Sequence, residues 1–122
     1  MGSVPASSAQ PSPYRDDHLF LDFEQQFAAL DNNRMSLTHK EYGLLALLVR
    51  HAGEIVPRDV LLLQIWSYGA DIRTRTLDVH VRRLRKKLGS YADQYIETIF
   101  GIGYRFQPYR APRHFQPLAA GV

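Results

Sequence analysis

Leu77, Val81, Leu84 and Leu88 recur at i, i+4, i+7 and i+11, one apolar seam down the side of a helix running from Arg73 to Leu88. Around that seam stand Arg73, Arg75, Arg82, Arg83, Arg85, Lys86 and Lys87 against one acid, Asp78, so the stretch carries +6. The whole chain is only +3, and its remainder therefore sums to −3. Charge is segregated along the chain. About 100° of rotation per residue places Arg75, Asp78, Arg82, Arg83 and Lys86 off the seam, on the flanks and the outer face. The fold must seat this helix by its apolar spine and leave a cationic exterior in water.

The chain has 122 residues and no cysteine, which fits one domain and excludes a disulfide scaffold, a thiolate metal site and a cysteine nucleophile. It has no apolar run approaching the roughly 18 residues of a membrane span, and its first residues lack the cationic start and apolar middle of a secretion signal. The expected location is the cytoplasm, with no membrane contact. Residues 1–17 are rich in Ser, Pro, Ala and Gln and read as a flexible linker or an added remnant. Residues 18–107 read as the folded domain. Residues 108–122 carry no regular pattern and read as a disordered tail.

Within the domain, loose alternation through Leu19, Leu21 and Phe23, then Phe27, Ala29 and Leu30, predicts short antiparallel strands with a hairpin at Asn32-Asn33. Thr38-His39-Lys40-Glu41 is a capping box, in which the Thr hydroxyl and the Glu carboxylate each satisfy a backbone N–H of the other. It opens a helix that buries Tyr42, Leu44, Leu45, Leu48 and Val49 and ends at Ala52-Gly53. Glu54-Ile55-Val56 is a brief extended link. Pro57 suits the start of a second helix, with Asp59 favouring its positive end. Leu61, Leu62, Ile65 and Trp66 form the inward stripe of that helix, and Val60 and Leu63 fall off it. The basic helix follows, closed by Gly89. Tyr95 to Ile99 and Tyr104 to Phe106 are two strands around a glycine-bearing turn.

Little here supports catalysis. Five scattered His with no HExxH spacing do not make a metal site. Glu41 and Asp59 are explained by helix capping. Gly101-x-Gly103 is a hairpin turn, with neither GxGxxG opening a helix nor a phosphate-binding loop beside it. No metal, cofactor or enzymatic activity is expected. A charge run is most often a solvated face, but the order of sheet, two helices, basic helix and hairpin favours another use. A short connection lets the second and third helices cross as a helix-turn-helix. A basic helix fits the major groove, where Lys and Arg neutralise phosphates and Arg can bridge the two acceptors of guanine. The expected partner is double-stranded DNA.

Three runs, LTHKEYGLLALLVRHAGEIVPRDVLLLQIW, TRTLDVHVRRLRKKLG and IETIFGIGYRF, resemble the effector domain of OmpR/PhoB-type response regulators over about residues 19–106. The resemblance implies an α+β winged helix-turn-helix: an N-terminal four-stranded antiparallel sheet, three helices and a C-terminal β-hairpin wing. It implies sequence-specific DNA binding within two-component signalling, with a receiver domain and a cognate sensor kinase in the full-length protein, and tandem dimers on DNA. Carried over by position, Asp78 and Arg83 face base edges. Trp66, Arg75, Thr76, His80, Arg82 and Arg85 touch phosphates. Thr98, Phe100, Gly101, Gly103 and Tyr104 belong to the wing. Ser67, Tyr68, Gly69, Ala70, Asp71 and Ile72 match a segment through which such activators can contact RNA polymerase.

One position departs from the pattern. Many members carry Arg just before Gly-x-Gly-Tyr, and that Arg enters the minor groove; this chain has Phe100. Phenylalanine cannot exploit the negative potential of a narrow groove, but it can pack on sugars, wedge a base step or contact another subunit. Two alternatives to the regulator reading are a winged-helix protein-interaction module using Val60, Leu63 and Phe100, and the effector of a one-component regulator.

Overall fold

The structure, a computed structural model, describes residues 12–66 and 74–110. Four short strands, β1 (Tyr14–Arg15), β2 (Leu19–Asp22), β3 (Phe27–Leu30) and β4 (Asn33–Arg34), form an antiparallel sheet in sequence order. Leu19 and Leu21 are fully buried, as the alternation predicts. In β3 it is Ala28 that is buried, while Phe27, Ala29 and Leu30 are only partly covered, so the inward parity there is the opposite of the one read from Phe27 and Ala29. The β3–β4 hairpin is one residue earlier than expected. Leu30 pairs with Asn33, and the turn is Asp31-Asn32, with φ of +50° and +67°. Both residue types tolerate the left-handed region that a tight two-residue hairpin demands.

Strand β1 lies inside the stretch read as linker and corrects that boundary. Its anchor is Asp16. The Asp16 carboxylate accepts from the Tyr14 hydroxyl (2.5 Å), the His18 and Leu19 amides (2.8 Å each), the Tyr95 hydroxyl (2.7 Å) and the Tyr109 amide (3.2 Å). Tyr109 also meets the His18 ring edge-on at 4.5 Å, so residues 108–110 belong with the fold, not with a tail. Composition cannot show this, because one carboxylate gathers the whole edge.

Helix α1 (His39–Arg50) starts with the predicted capping box: Glu41 N donates to Thr38 Oγ1 at 3.1 Å and Thr38 N to Glu41 Oε1 at 2.9 Å. Glu41 is 2% exposed, and Lys87 Nζ reaches its Oε1 at 2.6 Å. Strand β5 (Ile55–Pro57) follows and is more than a link. It adds to the C-terminal hairpin, β6 (Ile96–Ile99) and β7 (Gly103–Phe106), making a three-stranded sheet of order β5-β7-β6. Pro57 closes β5 opposite Gly103, on an edge where its missing N–H costs no ladder bond, and α2 (Arg58–Trp66) begins one residue later than predicted. Helix α3 spans Thr74–Leu88. Its seam, Leu77, Val81, Leu84 and Leu88, is sealed in the core with Leu44, Leu45 and Leu48 of α1 and Leu61 of α2. After Gly89 (φ +63°) a 3-10 turn (Gly89–Tyr91) and α4 (Ala92–Tyr95) bury Tyr95, which stacks on Phe106 at 5.5 Å. The sheet, three helices and hairpin wing expected of the fold are all present.

The carboxyls of Asp16 and Glu41 titrate below their ordinary values of 3.8 and 4.5. Burial opposes ionisation in both, but it is outweighed by the donors on Asp16 and, for Glu41, by Lys87 and the Thr38 amide. A depressed folded-state value means the stabilisation is complete above the unfolded value and drains away as pH falls through the folded one. Stability is therefore expected to hold from pH 7 down to about pH 5 and to fall steeply below about pH 4. Thermal melts across that range check this. Glu41→Gln should cost about 1–2 kcal/mol at pH 7 and give a shallower acid limb; an acid limb identical to that of the unaltered chain would refute the assignment.

Candidate nucleic-acid interface

Turning the seam of α3 into the core sorts its polar residues by azimuth. Arg75, Arg82, Arg83 and Lys86 lie about 130–170° from the seam by helical geometry. All four are exposed and form no hydrogen bond or ion pair among the described residues. Asp78, His80, Arg85 and Lys87 lie within about 90° of the seam, and each is engaged by a neighbouring element or its own backbone.

The engaged set builds the scaffold of the surface. His80 Nδ1 is 2.9 Å from Thr76 O, and its ring meets Trp66 edge-on at 5.0 Å. Lys40 lies on the same indole, its Nζ 5.7 Å from the ring centroid and donating to Ile65 O at 2.9 Å. Trp66 thus joins the end of α2 to both neighbouring helices. Arg85 Nη2 donates to Ile96 O (2.9 Å) and Thr98 Oγ1 (2.7 Å), and its guanidinium lies over the Tyr104 ring at 5.8 Å. Arg85 is thus committed to bracing the wing on α3. Asp78 is 52% exposed, yet its Oδ1 accepts from Arg58 Nη2 at 2.8 Å and from the Tyr104 hydroxyl at 3.0 Å. Burial alone would lower the Arg58 value, but the Asp78 carboxylate more than offsets it and raises it. Burial raises the Tyr104 value, and Asp78 adds to the effect.

A cleft of about 420 Å³ separates α3 from the hairpin, lined in part by Arg58, Asp78, Arg82, Arg85, Thr98 and Phe100. At the tip, Phe100 is 88% exposed and Gly101 takes φ +78°. Gly103 is required by proximity instead: a Cβ there would lie 2.0 Å from Val56 O.

The structure thus gathers Asp78, Arg82, Arg85, Thr98, Phe100 and Tyr104 around one groove, while Arg75 and Arg83 stand exposed elsewhere on the outer face of the same helix. Trp66, Thr76 and His80 pack together beside it. Residues 67–72, matched to a polymerase-contacting segment, lie outside the described residues. Arg58 and Lys40 were not singled out from the sequence. The azimuth of α3 carries the only signal for Arg58: a lone acid on the flank of a cationic helix calls for a partner from the adjoining element. Among the described residues no three His, Asp or Glu are grouped to hold a metal ion, and no helix is long and apolar enough to cross a membrane.

The family model described as transcriptional regulatory protein, C terminal, matches residues 32–106. The transcriptional regulatory protein HprR of Escherichia coli is 43% identical over 89 residues, covering 72% of this chain and 40% of that protein. The response regulator DrrB of Thermotoga maritima, an OmpR/PhoB homologue, superposes with a TM-score of 0.74 at 29% identity, over 84% of this chain and 47% of that one. The Klebsiella pneumoniae RstA DNA-binding domain, solved in complex with the RstA box, gives a TM-score of 0.72 at 30% identity, covering 81% of this chain and 100% of that domain. The chain thus spans about two fifths of the length of HprR.

Proposed function

This chain belongs to the OmpR/PhoB-type family of transcriptional regulatory C-terminal domains, and on that premise we propose that it binds duplex DNA with α3 in the major groove and the hairpin on the adjacent backbone or minor groove. One observation carries the reading: four cations, Arg75, Arg82, Arg83 and Lys86, stand exposed, with no hydrogen bond or ion pair among the described residues, on the outer face of a helix whose opposite face is sealed in the core. A helix so placed offers its charge to a polyanion without loosening the fold.

In this reading Arg83 and the partly exposed Asp78 face base edges. Arg75, Thr76, Arg82, His80 and Trp66 serve the phosphates. Arg85 and Thr98 hold the wing in place and contribute less directly than their positions imply. The family regulates transcription and is not an enzyme family; neither catalysis nor a cofactor enters the proposal. The full-length protein would add a receiver domain answering a sensor kinase, act in the cytoplasm where its DNA lies, pair in tandem on its sites, and contact RNA polymerase through residues 67–72.

Selection of bound sequences from random duplexes, repeated at two salt concentrations, tests the function. A sequence motif should emerge, and log affinity should fall with log salt at about −0.9 per phosphate neutralised, a slope of roughly −3 for Arg75, Arg82 and Lys86, with Arg83 on the bases. Recovery of no motif, with binding indifferent to salt, would refute it. The rival reading, a protein-interaction module, has in its favour the exposed Val60 and Leu63, the latter 55% accessible. It requires a protein partner whose binding survives reversal of charge at Arg82 and Arg83.

A further inference from the structure

Strand register sets Arg15, Phe20, Ala29 and Arg34 in one row across β1, β2, β3 and β4. Leu19, Leu21 and Ala28 turn to the core, so this row lies on the face of the N-terminal sheet turned away from it. The Arg15 guanidinium lies 4.5 Å from the Phe20 ring centroid, and that of Arg34 lies 4.3 Å from the centroid of Phe27. The two rings are themselves 5.8 Å apart. Both arginines are exposed and form no hydrogen bond or ion pair among the described residues. Stacking engages the flat face of a guanidinium and leaves the N–H groups at its rim to donate. It also holds the planar fork in place, so less freedom is lost when a carboxylate arrives.

The chemistry of the row selects the partner. Two cationic ends flank an apolar floor of Phe20, Phe27 and Ala29. Strands about 4.8 Å apart set the two ends of the row about 14 Å apart at the backbone. In an extended peptide, residues i and i+4 project to the same side about 13 Å apart, with i+2 between them. A long polyanion suits the face poorly. Asp22 pairs with Phe27 on the same side of the sheet, and Asp17 and Glu24 are exposed on either side of β2. Residues 12–37 as a whole carry five acids against two arginines, so negative charge is welcome only at the two stacked cations.

We propose that this face docks an acidic peptide segment of a partner protein: two carboxylates four residues apart clamp Arg15 and Arg34, and an apolar side chain between them covers Phe20 and Ala29. The site stands apart from the DNA-binding reading, since none of its residues lines the cleft beside α3.

Titration of the full chain with the end-blocked peptide Gly-Glu-Thr-Leu-Thr-Glu-Gly, followed by backbone amide NMR shifts, tests the proposal. Saturable shifts should centre on Arg15, Phe20, Ala29 and Arg34, with a Kd of about 0.1–1 mM that rises with salt. Arg15→Gln and Arg34→Gln keep a stem over each ring but remove the charge, and each should weaken binding about fivefold. On the unaltered chain, the same peptide with Gln in place of both Glu should give no saturable shift, which reads the charge requirement even where a variant disturbs the sheet. Moving the second Glu by one residue, to the other side of the extended peptide, should weaken binding by about fivefold as well. Shifts centred on α3 would overturn the proposal, as would equal affinity of the Glu and Gln peptides. Stronger shifts of the same amides by a thymidine oligonucleotide would also overturn it, by making the face a platform for polyanions.

Discussion

Replacing Arg82 and Arg83 by Ala together is expected to weaken binding to the selected duplex by about 100-fold, while leaving stability within about 0.5 kcal/mol of the unaltered chain. The two arginines should divide that loss differently. Arg82→Ala alone should lower affinity for all sequences alike and reduce the salt slope by about one, the signature of a lost phosphate contact. Arg83→Ala alone should cost about 1–3 kcal/mol on the preferred sequence and relax the preference at one base pair. The folded state should not register either change, since neither side chain has an intramolecular hydrogen bond or ion pair among the described residues. Fluorescence anisotropy titrations over a salt series, beside denaturant melts, separate the two effects. A matching loss of stability would show that these arginines hold the fold rather than a ligand.

Gly103→Ala is expected to be the most damaging single change among the described glycines, at about 3 kcal/mol, the upper range for overpacking a closed contact. The added Cβ would fall 2.0 Å from Val56 O and 2.9 Å from Pro57 Cα, both backbone atoms of β5. No flexible side chain can yield there, so β5 must part from β7. In a domain this size each kcal/mol moves the midpoint by about 4–8 °C, so a calorimetric scan reads the effect easily. Gly43→Ala is the control. Its nearest obstacle is Ile65 Cδ1 at an ordinary 3.5 Å, and Ala in mid-helix gains up to about 1 kcal/mol over Gly. Equal behaviour of the two variants would contradict the packing described for the wing.

The parts of the fold governed by local periodicity were readable in advance. The seam of α3, the capping box at Thr38 and Glu41, and the exposure of Val60 and Leu63 all follow from spacing along one helix. Features that depend on distant partners were not. β5 is three residues long, too short to show alternation, and becomes a strand only because β7 lies beside it. β1 is two residues long and exists because Asp16 collects donors from Tyr95 and Tyr109, far along the chain. The site divides in the same way. Helical spacing already set Arg82, but not Arg85, off the seam, while the resemblance gave both the same phosphate role; in the structure Arg82 faces water and Arg85 meets the carbonyl of Ile96. Azimuth about the helix makes that distinction, and it becomes meaningful once the neighbouring strand is in place.

Asp78 takes its partners from two other elements, Arg58 at the head of α2 and Tyr104 on β7. Helix, helix and strand are thereby locked at a single oxygen atom, and the reading head arrives at its target already assembled. Little ordering entropy remains to be lost on docking, so affinity need not be sacrificed to adjust the wing against α3. The cost of that stiffness is intolerance: a fault at Arg58 or Tyr104, neither of them on the recognition helix, should travel to Asp78 and surface as blurred discrimination between operators.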